Sequence, residues 1–453
     1  MTKSKKNSLS EVNFILYGLN YVVGFGFIAT ISSLINQGVW GILIFILTSI
    51  IIVAVIFAFS RAGQKYQNEI GGSYLYAKKT FGKQMTFFQG WNQASQIILF
   101  AGTTPLFFAR LISQFDQNNE ILYTVISVII YISFVLLGTF GYKLSKNFIF
   151  VTAVFKWITL ALGFGLIIYL ISQSNSYAAS IKDLGPFSLS AFAGGILSFI
   201  YAYGGFESLA TISKDIETKR FKKIMIYMFL IVFVAYFIFY FIFLGLEKSN
   251  VSGFGLDIAY KTVWGTTGVT IFAIGLFFNR VSSTMGGVQP KARMIAALAK
   301  DGFFPIPWAQ TNKHNEYRNA IIVYAIVGTL SSVFFSIIPT LAGVNNTFEK
   351  ILAAGNISYL IQYLLTIFTV WLWSIRKEEK IPVWEKIIYV IGMVAIIFTL
   401  IGSQISFLIE NKITFENFLP LISYVATIIF GYLVWFISAK YNKKRAKKLK
   451  LSQ

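Results

Sequence analysis

Apolar residues along this chain fall in long unbroken blocks instead of the alternation of half-buried strands. Residues 42–59 carry no charge, and neither do residues 224–246. About 20 apolar residues suffice to cross a hydrocarbon layer of about 30 Å. Inside lipid every backbone polar group must find an internal partner, so such blocks become helices. The pattern predicts twelve spans, at 13–36, 39–60, 86–112, 121–140, 147–172, 190–212, 224–246, 263–290, 319–338, 347–374, 384–408 and 418–440. Lys3, Lys5 and Lys6 precede the first block as they would in a signal peptide. The block is too long for a signal's apolar core and lacks a small-residue cleavage site, so it reads as the first membrane helix.

Composition supports this class. Of 453 residues 56% are hydrophobic and 13% charged, against about 25% charged in a soluble chain; mean hydropathy is +0.67. The net charge of +21 would suit a nucleic-acid binder, but its distribution suits a membrane protein. With the N-terminus inside, thirty of the 39 Lys and Arg fall on inner segments. Six fall on outer ones: Arg110, Lys182, Lys248, Lys261, Lys350 and Lys412. This is the positive-inside asymmetry, and it places both termini in the cytoplasm. The basic stretch 440–450 reads as a topology anchor near anionic lipid. There is no cysteine, and His314 is the single histidine, expected in a solvated loop. Thiolate and histidine-cluster metal sites are thereby excluded, and with them any reason to expect a metal or organic cofactor. No phosphate-binding loop motif is present, which argues against ATP-driven transport.

Two spans are interrupted by glycine near their centres, the first at Gly24-Phe25-Gly26 and the sixth at Gly204-Gly205. Five spans separate their starts. Five is odd, so the second set begins on the opposite side of the membrane, as in an inverted repeat. Paired broken helices point to a transporter's binding site. Unwound backbone offers N–H groups to a carboxylate and carbonyls to an ammonium group or a cation. The competing reading is that small residues let helices pack closely.

At these residues the chain resembles the amino acid-polyamine-organocation superfamily of transporters. VVGFGFIAT in the first span and FIYAYGGFES in the sixth look like the family's two breaks. IGGSYLYAKKTFG (70–82), GWNQ (90–93) and ARMIAALAKDGFFP (292–305) are similar to three further motifs in the family's order. Phe25 and Ala292 depart from it, standing where the family usually has a hydroxyl residue. The resemblance implies an all-α LeuT-type fold. Residues 13–172 and 190–374 would form two inverted five-helix repeats, 384–440 two additional helices, and 1–12 and 441–453 cytoplasmic tails. It implies alternating access, with substrate bound at mid-depth between the broken spans.

Candidate substrate contacts are therefore Gly24, Phe25, Gly26 and Phe27 at the first break, and Tyr201, Ala202, Tyr203, Gly204 and Gly205 at the second. By resemblance Tyr201 is an aromatic gate; a flat ring with a polar tip can stack on a substrate and exclude water. Phe206 lies beside the same break. Glu207 is the acidic residue placed in the membrane core, either proton-coupled or held in a structural ion pair. Asn92, Ser95 and Gln96 share one helical face and either line the path or join helices. The same choice applies to Asn356, Tyr359 and Tyr363. Thr284, Gly286 and Gly287 fall where the fold brings the eighth span to the first break. Lys156 lies nine residues beyond Asn147, about 14 Å along its helix. By resemblance it replaces a sodium ion, bridging first-helix carbonyls to the eighth helix and coupling transport to protons. Arg280 lies about 20 Å of helix above Arg293, where its partner would be Glu207, helix carbonyls with water, or a substrate anion. With Lys156 and Arg280 against Glu207, the core disfavours cationic substrates.

The sequence thus reads as a multi-pass cytoplasmic-membrane permease for neutral or acidic amino acids, with a proton or counter-substrate as partner. The alternatives are a facilitative pore and a transporter-like sensor. A membrane enzyme would need a cluster of intramembrane acids or histidines.

Overall fold

The computed structural model describes residues 9–112, 115, 119–137, 142–173, 187–246, 256–313, 316–342 and 347–451. His314, Lys182, Lys248 and the N-terminal lysines lie outside the described residues. About 85% of the described residues are helical. Among the described residues nine helices are long and apolar enough to cross a membrane, and shorter apolar helices accompany them.

In chain order the helices are α1 (Glu11–Val22), α2 (Phe25–Ile35), α3 (Val39–Lys65), α4 (Ser73–Thr80), α5 (Lys83–Ala101) and α6 (Thr103–Ile112). There follow α7 (Glu120–Leu137), α8 (Tyr142–Ser172), α9 (Leu189–Phe199), α10 (Phe206–Thr211), α11 (Phe221–Leu244) and α12 (Leu256–Lys300). The last five are α13 (Arg318–Ser332), α14 (Ile338–Leu341), α15 (Thr347–Ile375), α16 (Val383–Ile409) and α17 (Phe415–Leu451). Joined as α1+α2, α5+α6, α9+α10 and α13+α14, and with the short α4 set aside, these match the twelve expected spans. Two differences matter. The third span divides at Gly102, and the eighth runs to Lys300, ten residues beyond its expected end. Helix α12 also contains a sharp bend at Gly265, whose φ is +58°.

The outer faces are what lipid requires. On α11 the side chains of Leu230, Ile231, Val234, Phe237 and Ile238 are exposed. So are Val394, Ile401 and Ile405 on α16 and Ile429, Leu433 and Phe436 on α17. Stripes this apolar would drive aggregation in water. The end of the bundle where α1 begins and α3 and α12 terminate is the basic face, and its helix ends are tied by charge. Glu385, fully buried in the first turn of α16, pairs with Arg61 of α3 at 2.5 Å and Lys222 of α11 at 3.1 Å. Asp301, just past α12, accepts from the Tyr74 hydroxyl and from Lys78 at 2.6 Å. Two separate sequence motifs, 70–82 and 292–305, therefore meet in space. Burial and the Asp301 carboxylate push the Tyr74 hydroxyl well above its ordinary range.

At the opposite face Glu410 fixes the start of α9. It accepts from Ser188 Oγ at 2.9 Å, Ser190 N at 3.0 Å and Ser190 Oγ at 2.6 Å. Those bonds and the Lys412 ammonium lower its carboxyl from 4.5 to about 2. A carboxyl depressed by folding stabilises above its unfolded pKa and loses that contribution as pH falls toward its folded one. Glu410→Gln should therefore melt below the native protein at neutral pH, with the gap closing between pH 4.5 and about 2. Thermal unfolding in detergent at neutral pH and at about pH 3 checks this.

Candidate functional site

The site begins with two interrupted helices that touch. Helix α1 stops at Val22 because Val23 turns to extended backbone (φ −74°, ψ 99°). Helix α9 tightens into a 3-10 turn over Ile200–Tyr203 and breaks at Gly204 and Gly205. Gly205 has φ +125°, a conformation side chains rarely adopt. A Cβ there would press on Tyr21 and Val22 at 3.1–3.2 Å. Reciprocally, a Cβ on Gly26 would lie 2.6 Å from the Tyr201 carbonyl. Each break thus occupies the space that glycine leaves in the other.

The freed backbone groups have identifiable partners. The Tyr236 hydroxyl of α11 donates to the Ala202 carbonyl at 2.9 Å and lies 3.4 Å from that of Val22, serving both breaks. Glu207 accepts from the Gly205 N–H at 3.0 Å, from Tyr363 at 3.0 Å and from Ser208 at 3.1 Å. It caps α10 and is in no ion pair among the described residues, contrary to the pairing considered from sequence. Lys156, fully buried on α8, donates to the Asn20 carbonyl at 2.6 Å. The Asn20 amide donates in turn to Ser282 at 2.6 Å. The hydrogen-bonded link from Lys156 to α12 therefore runs through Asn20. On α12, Pro290 has no N–H for the Gly286 carbonyl, and the Tyr17 hydroxyl of α1 donates to it instead.

Between the breaks and α12 lies a cavity of about 110 Å³. Of the expected residues Gly24, Gly26, Tyr201, Gly204 and Arg280 line it, as do Thr284 and Gly287. Tyr201 packs on Phe100 at 5.2 Å, and Phe100 on Tyr359 at 4.9 Å, forming an aromatic border. Arg280 is bound by the hydroxyls of Thr103 (3.1 Å) and Thr104 (2.8 Å). These neutral partners were absent from the sequence reading.

Other expected contacts lie elsewhere. Phe27 stacks on Tyr236 at 4.2 Å, behind the break. Tyr203 is buried, its hydroxyl 3.3 Å from Ser49. Ala202 and Gly205 face packed neighbours instead of the cavity. The side chain of Phe25 lies outside the described residues. Asn92 is helix-joining, donating to the Ser358 carbonyl at 2.9 Å and accepting from Tyr424 at 2.8 Å. Gln96 bonds Gln362 at 2.5 Å and borders a smaller pocket of about 20 Å³ instead of the main cavity.

With this geometry in view, the comparisons are decisive. The family described as amino acid permease matches residues 9–435. The chain belongs to the amino acid permease family. That family lies within the amino acid-polyamine-organocation superfamily, so the permease is a multi-pass membrane transporter of organic solutes. It is 29% identical to "Uncharacterized protein MG225" of Mycoplasma genitalium, over 97% of each chain. "Uncharacterized protein MG226" of the same organism is also 29% identical, over 97% of the permease and 98% of its own length. "Uncharacterized transporter Rv1979c" of Mycobacterium tuberculosis is 21% identical over 72% of the permease and 73% of itself.

Sequence reasoning missed several wall residues: Tyr21, Thr103, Tyr131, Ser283, Lys291 and Tyr324. Lys291 falls one residue past the expected end of the eighth span at 290, whereas α12 continues to Lys300. A signal was available. Arg280, Thr284, Gly287 and Lys291 are spaced i, i+4, i+7 and i+11, a single helical face.

Two variants test this construction. Gly26→Val should abolish uptake by the permease while its membrane level stays normal, since any Cβ collides with the Tyr201 carbonyl. Tyr236→Phe leaves a buried carbonyl without its donor and should cost about 1–3 kcal/mol of stability, read as a lowered melting temperature in detergent.

Proposed function

We propose that this permease carries neutral or acidic amino acids across the cytoplasmic membrane by alternating access, without sodium, in exchange or with protons. In this reading residues 13–172 and 190–374 are the two inverted repeats. The basic face is cytoplasmic, which puts α1 and α10 on the inner side of the two breaks. The observation that carries the reading is the interlock itself: two broken helices in contact, with Gly24, Gly26, Tyr201 and Gly204 opening onto one cavity. Backbone N–H groups at such a site suit a substrate carboxylate and freed carbonyls suit its ammonium group. Tyr201, bordered by Phe100 and Tyr359, serves as the gate.

The Lys156 ammonium, 2.6 Å from the Asn20 carbonyl, supplies a fixed charge where a cation would otherwise be needed. Its proton is the candidate for coupling, because losing it releases α1 from α8. Glu207, which caps the inner half of the sixth span, is the second candidate. Arg280 in the wall disfavours a third cation brought in by the substrate.

Uptake into proteoliposomes tests the reading. It should be unchanged when sodium is replaced by potassium, and arginine and lysine should compete poorly. Lys156→Met should lower uptake by about tenfold or more, the size expected when a charged hydrogen bond is lost, and flatten its pH dependence. Strict dependence on a sodium gradient would overturn the role given to Lys156.

A further inference from the structure

Lys291 is a cavity residue that the proposed mechanism does not use. It follows Pro290, where α12 loses a helix hydrogen bond and Tyr17 takes over the Gly286 carbonyl. It borders the main cavity together with Arg280, Thr284 and Gly287. It also borders the smaller pocket with Gln93, Gln96, Ser208 and Thr211, and so is a wall residue of both spaces. Its ammonium lies 5.2 Å from the centre of the Tyr324 ring, and Tyr324 and Tyr131 share a hydroxyl contact at 3.3 Å. Among the described residues Lys291 is in no ion pair. No Asp or Glu among the described residues lines either space. The Glu207 carboxylate is occupied by Gly205, Tyr363 and Ser208.

We propose that Lys291 receives the side-chain carboxylate of the substrate, making the permease selective for acidic amino acids. This rests on the amino acid reading above and narrows it. Eleven residues separate Lys291 from Arg280, about three turns or 16 Å along one face of α12. The substrate's backbone groups belong at the breaks, level with Gly24 and Ser283, between those two positions. A side chain directed toward the basic face then meets Lys291. An ammonium in a low-dielectric wall gains from a counter-charge and gains little from an uncharged amide. Selection thus falls on the difference between a carboxylate and its amide.

The test uses the reconstituted full-length protein with radiolabelled L-glutamate and L-glutamine, and with L-aspartate and L-asparagine. Each pair differs only in that group. The native protein should prefer the acid in at least one pair. Lys291→Gln should reduce the acid-to-amide uptake ratio by about tenfold, the size of one lost charge-assisted contact. Lys291→Arg should restore much of it. Melting temperatures of the purified variants in detergent show whether they are folded. A native preference for the amides overturns the inference while leaving the amino acid reading standing. So does a folded Lys291→Gln protein with an unchanged acid-to-amide ratio. If no amino acid at all is taken up or competes, the amino acid reading falls and this inference with it.

Discussion

Breaking a helix inside a membrane leaves N–H and carbonyl groups with no water to bond, and the core of this protein is arranged around satisfying them. The solutions are individually ordinary. Tyr236 serves carbonyls from both breaks, Glu207 caps the restarted helix, Lys156 takes the Asn20 carbonyl, and Tyr17 covers the group that Pro290 leaves open. Together they bring α1, α8, α10, α11, α12 and α15 to one place. The breaks are therefore not loose segments. They are held from behind by hydrogen bonds and aromatic packing, and backbone and small residues are left facing the cavity.

That division explains what could be read in the sequence. The spans were legible because lipid enforces long apolar blocks, and the breaks because glycine recurs in two corresponding places. Which side of each break faces the cavity was not legible. Phe27, Ala202 and Tyr203 lie within two residues of lining positions, yet the local twist turns them into the packed wall. The third-span polar face illustrates a second limit. Asn92 and Gln96 look like a lined path, and their partners Ser358, Tyr424 and Gln362 come from distant helices that only the fold supplies.

Helix ends were the third limit, and the costliest for function. An apolar block ends where charge begins, but a helix continues as long as its backbone is satisfied. Helix α12 runs to Lys300, and that extension moves Lys291 from just past the expected span into the cavity wall. The charge balance at the site then shifts further toward the positive, beyond the contribution of Arg280. The tethers at the basic face, Arg61 and Lys222 on Glu385 and Lys78 on Asp301, join α3 and α11 to α16 and α4 to the end of α12.

The central claim is that the space between the two breaks is where substrate binds. The chain has no cysteine, so a single one at Ser283, whose buried hydroxyl beside Gly24 has no hydrogen-bond partner among the described residues, reports on that space alone. The most direct measurement is the rate at which a small thiol reagent labels Ser283→Cys in membranes, with and without a transported amino acid. Saturating substrate should slow labelling several-fold, while a non-transported amino acid should not. An unchanged labelling rate in a variant that still transports would place the substrate somewhere else.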